Sequence, residues 1–370
     1  MLHNNFITPG GLRIVGVQAM SGIHSSIHVE TQDREDILFD CGIMTCESIK
    51  AKWVFITHGH VDHVGAAVQH ARARALNHSP ATYFIPEEVL APLVQAHDAF
   101  EKLDGHKIPF QIQVLRPGES VNIGKKDKFR VTAFQTEHRV QSQGYAVFST
   151  IEKEPAVVLE EYKHLSRDQR RELKQQGISV ERAATTEEIL DLVYTGDTTF
   201  NGLLAPHNAF IFNASMLIME CTYLDGDVQK AVDWQHVHLQ DIIDHAGRFS
   251  RVQYLVLTHL SAKYQPWSRA LNILQKSGLP AGLIDRTYVT LRTFGASEDV
   301  TAVAPTEDFS SRKKTEVGFT WATRVGGGSN KATGESTQKR VREGRDDRCR
   351  FFFHTAGGCL KGADCEFSHQ

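Results

Sequence analysis

The chain reads as a layered α/β protein. Over residues 1 to about 300, short apolar runs alternate with longer helical patterns. Several of the apolar runs end on a titratable or hydroxyl residue. With 370 residues, 41% apolar and 23% charged, the composition is that of a globular protein long enough to bury a core, as one large domain or two smaller ones.

"ILFDCG" (37–42) and "WVFITH" (53–58) have the continuous apolar character of buried strands, and each ends in a polar site. "VDHVGAAVQHARARAL" (61–76) carries helical spacing, and "KFRVTAFQTEH" (128–138) alternates as a strand. "LDLVYTGDT" (190–198), "SMLIMECTY" (215–223) and "VQYLVLTHLS" (252–261) read as three more strands, and "HLQDIIDHAGRFS" (238–250) as a helix. Layered folds of this kind gather functional residues where a rigid sheet hands over to loops. From 301 to 345 the periodicity fades into polar, Gly- and Ser-containing sequence, which we read as a flexible linker with a weak strand at "VGFTWATRV". Residues 346–370 form a compact last module, and no internal repeat is found.

The formal net charge of −3 argues against a chain coated in basic residues, so any nucleic-acid contact must be a local patch. Six cysteines are no disulfide scaffold. Cys41, Cys46 and Cys221 sit in apolar surroundings and read as core thiols, which fits a reducing compartment, nucleus or cytoplasm. No run of 18 apolar residues exists, so no membrane span is expected. The start "MLHNNFITPGGLRIVG" lacks a charged n-region and a long apolar core, and a strand-like run begins by Leu12, so neither a signal nor a transit peptide is expected.

The chemistry concentrates in "ITHGHVDHVGAA" (56–67). His58, His60, Asp62 and His63 form H-x-H-x-D-H straight after a strand, where a turn lets alternate residues face two adjacent sites. Imidazole and carboxylate suit zinc and similar ions. His138, Asp197 and His259 stand at later strand ends; each alone is weak, but together and in this order they complete a ligand set.

That set resembles the dinuclear hydrolases of the metallo-β-lactamase superfamily. The resemblance covers residues 1–300 and implies a four-layer αββα sandwich. It implies His58, His60 and His138 on one metal, Asp62, His63 and His259 on the other, and Asp197 bridging. Two close cations would lower the pKa of a water between them and neutralise charge on a phosphoryl group, with Asp62 placed to orient that water and take its proton.

Three smaller motifs narrow the resemblance. "HRVQSQGY" (138–145) is similar to the stretch after the third metal histidine in ribonuclease Z, the tRNA 3′-processing endonuclease. "MECTYLD" (219–225) resembles that family's "HEAT" loop, with Glu220 and Thr222 kept and Met219 in place of histidine. "HVHLQDI" (236–242) occupies the place of its "HST" element. Together they resemble the short, plant-type ribonuclease Z proteins. The family uses a histidine of the "HST" element, oriented by the "HEAT" glutamate, to protonate the leaving 3′-oxygen. His238 with Glu220 is the expected pair, His236 the alternative, and capping of the helix starting at Leu239 the structural reading of both.

The sequence also departs from the family pattern. "VQAMSGIHSSIHVE" stands where many members carry a P-x-K-x-R-N-like motif, and Lys263 replaces an arginine, losing bidentate phosphate geometry. "YKHLSRDQRRELKQQG" (162–177) takes the place of the tRNA-gripping arm. Its Lys163, Arg167, Arg170, Arg171 and Lys174 form, on a helix, either a phosphate-binding face or simply a solvated one.

Cys349, Cys359, Cys365 and His369 have the spacing C-x9-C-x5-C-x3-H. They resemble a CCCH zinc finger, in which three thiolates and an imidazole close a tetrahedral zinc site that supplies the folding energy of a module with almost no core. Phe351, Phe353 and Phe367 either stack on single-stranded RNA or fill the finger's interior.

The expected function is a zinc-dependent endoribonuclease that removes 3′ trailers from precursor tRNA and leaves a 3′-hydroxyl. It would hold two catalytic zinc ions (manganese being the alternative) and one structural zinc in the finger. Precursor tRNA is the expected partner, with other single-stranded RNA at the finger and a homodimer by resemblance. The competing readings are a small-molecule phosphodiesterase, thioesterase or lactonase on the same fold, and a non-catalytic RNA-binding protein.

Overall fold

The structure is a computed structural model that describes residues 7–226, 228–291 and 299–302. The first two residues of the expected linker, 301 and 302, end a strand; the rest of it, its weak strand at "VGFTWATRV", and the module with Cys349, Cys359, Cys365, His369, Phe351, Phe353 and Phe367 lie outside the described residues.

Two mixed sheets form the frame. The first holds β1 (Arg13–Met20), β2 (His24–Glu30), β3 (Asp36–Phe39), β4 (Trp53–Phe55), β5 (Thr82–Ile85) and β6 (Gln111–Val114) in chain order. β1 to β3 pair antiparallel and β3 to β6 parallel. The second begins with β7 (Ser120–Ile123), β8 (Phe129–Thr136) and β9 (Ser142–Glu154). A separate two-stranded ladder, β10 (Val157–Val158) with β11 (Glu181–Arg182), interrupts it. It resumes with β12 (Thr185–Tyr194), β13 (Met216–Glu220), β14 (Tyr254–Thr258), β15 (Thr287–Leu291) and β16 (Asp299–Ala302). Its spatial order is β16-β15-β14-β13-β12-β9-β8-β7.

Strand alternation builds three apolar layers from these two sheets. Ile37, Phe39 and Phe55 of the first sheet meet Val131, Leu192, Tyr194, Ile218 and Val256 of the second. The residues between them face outward. Leu38, Val54 and Ile56 pack under α2 (Ala67–Arg74) and α3 (Glu87–Asp104), through Ala67, Ala71, Val89 and Leu93. On the far side, Val193, Leu217, Met219, Leu255 and Leu257 pack under later helices. The layers therefore run α, β, β, α, and strands covered on both faces explain the unbroken apolar runs of "WVF", "MLIM" and "YLVL".

Several local expectations are corrected. The run 61–76 is two helices, α1 (Val61–Val64) and α2, because the chain turns at Gly65–Ala66. The basic segment keeps its expected helix, α4 (Arg167–Gln175), opened by a capping box between Ser166 and Gln169, with none of the helix's residues buried. α5 (Phe200–Leu204) and α6 (Val228–Trp234) follow. The run 238–250 is a short α7 (Leu239–Asp244) followed by a 3-10 turn, Ala246–Arg251. α8 (Trp267–Gln275) and α9 (Ala281–Ile284) complete the outer layer over the second sheet. Cys41 and Cys221 are buried, but Cys46 is exposed, because it falls in the loop after β3 and not in a strand. No helix among the described residues is long and apolar enough to cross a membrane.

The aromatic centre of the inter-sheet layer is Phe55, with ring centroids of Phe84, Tyr145 and Phe39 at 4.6, 5.1 and 5.7 Å. Phe55→Ala leaves a cavity between the sheets, and chemical denaturation should record a loss of about 3–5 kcal/mol.

Candidate metal centre and catalytic cleft

β12 runs antiparallel to β9, and β9 to β8, so β8 and β12 point the same way; β13 and β14 are parallel to β12. The C-terminal ends of β8, β12, β13 and β14 therefore share one edge of the second sheet. They deliver His138, Asp197, Glu220 and His259. From the first sheet, β4 runs into Thr57, His58 and His60, and α1 carries Asp62 and His63.

The structure brings the seven sequence-predicted donors together in two groups. His58, His60, His138 and Asp197 form one, and Asp62, His63 and His259 the other. His60 Nδ1 lies 3.0 Å from His58 Nε2 and 3.4 Å from His138 Nε2. In the second group, His63 Nε2 lies 3.4 Å from His259 Nε2, and Asp62 Oδ2 is 3.6 and 3.5 Å from those two nitrogens. Asp197 stands between. Its Oδ2 is 3.3 Å from His63 Nε2, 3.9 Å from His138 Nε2 and 4.0 Å from His58 Nε2.

The outer ring nitrogens are held by neighbours. His138 Nδ1 donates to the Gln235 carbonyl at 3.0 Å, His63 Nδ1 donates to Asp40 at 2.8 Å, and His58 Nδ1 is 2.9 Å from Thr57 Oγ1. Each imidazole thus turns its other nitrogen inward as a lone pair, the arrangement typical of metal ligands. Asp197 Oδ1 is buried without a hydrogen-bond partner among the described residues. Burial holds His58, His60 and His138 below the ordinary imidazole range, so they are neutral at neutral pH. Burial would raise Asp62, but His259 and His63 outweigh it and hold its carboxyl down at about 2. Burial would lower His63, but the neighbouring Asp197 and Asp40 outweigh it and raise the ring, so a cation there would take the place of its proton. Converging imidazoles and carboxylates fit a pair of divalent cations.

Asp40 was not among the expected site residues. It ends the "ILFD" run with φ +57° and receives Thr57 N, Thr57 Oγ1 and the Tyr194 hydroxyl as well as His63. Its only signal in the sequence is an aspartate closing an apolar strand. Gly22, in the turn from β1 to β2, was also missed; its backbone N donates to Asp62 Oδ2 at 2.9 Å. Two residues past Asp40, Gly42 runs so close to α1 that an added Cβ would lie 1.6 Å from the Asp62 carbonyl oxygen.

The structure pairs Glu220 with His236, the alternative, and not with His238. Glu220 is 1% exposed and receives His236 Nδ1 at 2.9 Å, Thr222 Oγ1 at 2.7 Å and Thr198 N at 2.8 Å. His238 does not face it. His238 is the N-cap of α7, where Nδ1 accepts from Gln240 N at 3.0 Å, and it borders a different cleft, with Leu224, Ile273 and Lys276. The alternation of Val237 between them puts His236 toward the donors and His238 toward the helix. Burial opposes a proton on His236, but Glu220 outweighs it and lifts the ring to about 9.

The remaining expected contacts sit apart from this pair. Lys263 lies over the Tyr223 and Tyr264 rings, 3.6 Å from Asp225. Lys174 pairs with Glu181 at 2.7 Å and Lys163 with Glu160, whereas Arg167, Arg170 and Arg171 make no ion pair among the described residues.

Fold and site are those of a metal-dependent hydrolase. No family model matches the chain. Over 231 residues it is 33% identical to tRNase Z TRZ1 of Arabidopsis thaliana, covering 62% of this chain and 79% of that protein. It is 30% identical over 230 residues to the chloroplastic tRNase Z TRZ2 of the same plant, covering 61% of this chain and 62% of the relative. Among solved structures it is similar to the short form of human tRNase Z, with 20% identity, a TM-score of 0.46, and 69% and 93% of the two chains covered. The chain belongs to the tRNase Z (ribonuclease Z) family, whose expected metallo-β-lactamase fold agrees with the four layers found here.

Asp40 acts by fixing the His63 ring. Asp40→Asn should weaken zinc binding at the cluster by about 10–100-fold in a chelator competition, while circular dichroism stays unchanged.

Proposed function

We propose that this protein is a metal-dependent endoribonuclease that removes 3′ trailers from precursor tRNA. The observation that carries the reading is the meeting, in one cleft, of the two donor groups around Asp197 with the His236–Glu220 pair. The first serves a metal-dependent hydrolase acting on many esters; the second adds a proton donor, which matters most for a strongly basic leaving alkoxide. Family membership supplies the substrate class, since the relatives are tRNase Z proteins.

His58, His60 and His138 would hold one ion, Asp62, His63 and His259 the other, and Asp197 both. Two bound divalent cations supply Lewis acidity, activating a water and neutralising the phosphodiester. Asp62, pinned by Gly22 N, orients that water and accepts its proton. His236 carries the proton for the leaving 3′-oxygen, and Glu220 fixes the ring and stabilises its charge. The products are a tRNA with a 3′-hydroxyl and a trailer with a 5′-phosphate.

Zinc is the proposed metal because imidazole nitrogens dominate a donor set completed by carboxylates and facing an open cleft, with manganese as the alternative. Arg167, Arg170 and Arg171 on α4 are proposed to meet tRNA phosphates, across a homodimer if the family's arm arrangement holds. Cys349, Cys359, Cys365 and His369 are proposed to bind a structural zinc. A finger so tethered adds RNA affinity through effective concentration.

The test is cleavage of a 3′-extended pre-tRNA by the zinc- or manganese-loaded full chain. Wild type should give one cut at the trailer boundary. Asp62→Ala should abolish it, and His236→Ala should slow kcat by about 10²–10⁴-fold. His238→Ala should leave kcat within a few-fold and instead lower stability by about 1 kcal/mol through loss of its cap. Turnover of bis(p-nitrophenyl) phosphate with no cut in pre-tRNA would contradict the reading. Cys359→Ser should raise the KM for pre-tRNA and leave kcat unchanged.

A further inference from the structure

The cleft beside the donor groups has a volume of about 380 Å³, and its outer rim carries Arg139 and Trp234. Neither takes part in the chemistry above. Trp234 is 49% exposed at the end of α6, although an indole is among the most favourable side chains to bury. The Arg139 guanidinium carbon lies 4.5 Å from the centroid of the indole. Arg139 is itself exposed and makes no ion pair with a carboxylate among the described residues.

Backbone geometry ties this rim to the site. Gln235 N donates to the Val232 carbonyl and His236 N to the Ala231 carbonyl, which closes α6 with the two bonds of a Schellman cap. Gln235 takes the left-handed position, φ +54°, at a cost of about 1–2 kcal/mol for a residue with a Cβ. The cap separates three functions over three residues. Trp234 stays on the rim, the Gln235 carbonyl accepts from His138, and His236 reaches Glu220. Arg139 follows His138 directly, so the two segments cross at the histidine that both position.

We propose that Trp234, backed by Arg139, is the stacking platform for the nucleobase on the 5′ side of the cut. The inference rests on the endoribonuclease reading and on His236 as its proton donor. His236 must stand at the leaving oxygen, and that oxygen is the 3′-oxygen of the upstream nucleotide. An aromatic ring two residues from the donor, on the same cap, therefore neighbours the base of that nucleotide. Exposed aromatics and arginine planes are the usual surfaces on which proteins hold unpaired bases. The guanidinium fixes the indole before RNA arrives and adds positive charge near the phosphates. Because every base has a π-face, the platform accepts any of the four.

The test couples one residue to one base. Full-length wild type and Trp234→Ala each receive three pre-tRNAs: intact, abasic at the nucleotide 5′ of the cut, and abasic at the nucleotide 3′ of it. KM is read from cleavage. Kd is read by fluorescence anisotropy with and without Trp234→Ala in the Asp62→Ala background, where the RNA persists. For wild type, removing the 5′ base should raise KM and Kd about tenfold, the order expected of one base on one aromatic ring. Trp234→Ala should bind intact RNA about tenfold more weakly and lose nothing further when the 5′ base is absent. Trp234→Phe should recover most of the loss, which a merely structural role for the indole would not predict.

Independent, multiplicative losses would overturn the platform, and so would coupling to the 3′ base. Cleavage by wild type without coupling removes the platform and leaves the endoribonuclease standing. Coupling in Kd without cleavage by wild type overturns the endoribonuclease reading and the platform's place beside a cut with it, and absence of RNA binding removes both.

Discussion

The constraint on which this structure turns is electrostatic. Five imidazoles and two carboxylates are packed at one place, with inward-facing atoms 3–4 Å apart, and most are buried. Lone pairs in that arrangement repel, and taking carboxylates out of water costs several kcal/mol per ion unless cations or protons compensate. The surrounding fold resists any relaxation. Asp40 locks His63, the Gln235 carbonyl locks His138, and Gly22 N locks Asp62. These second partners lie on different elements, so the site is fixed by the whole sandwich and not by one loop.

The two sheets make that convergence geometrically cheap. Parallel strands end together, and β8, β12, β13 and β14 all end at the cleft. The apolar alternation that buries Leu192, Ile218 and Val256 between the sheets also sets the rotation at which each strand releases its last residue. The central aromatic cluster around Phe55 stands one turn of chain below His58. Core packing and ligand geometry are therefore one problem, and a cavity in the core is felt at the site.

Much of this was legible in the sequence, because the signals were local. H-x-H-x-D-H after "WVFIT", and single donors after later apolar runs, gave all seven residues that the structure brings together. What stayed illegible depended on direction or on distant partners. His236 and His238 share a motif, and only the strand-like alternation through Val237 separates the one facing Glu220 from the one capping α7. Asp40 looks like any strand-end aspartate until His63 is seen against it, 23 positions away. Helical spacing through 61–76 hid the turn at Gly65–Ala66, because periodicity does not register so short a break. Arg139 and Trp234 are 95 positions apart in the numbering and meet only because the α6 cap crosses the segment after β8 that carries His138.

If the cleft works as proposed, its seven donors hold two divalent ions shared by Asp197. This is tested most directly by a crystal structure of the full chain grown with zinc, using anomalous diffraction at the zinc edge. Two peaks are expected in the cleft about 3.5–4 Å apart, one on each side of Asp197 Oδ2. A single peak, or none among these seven side chains, would contradict it.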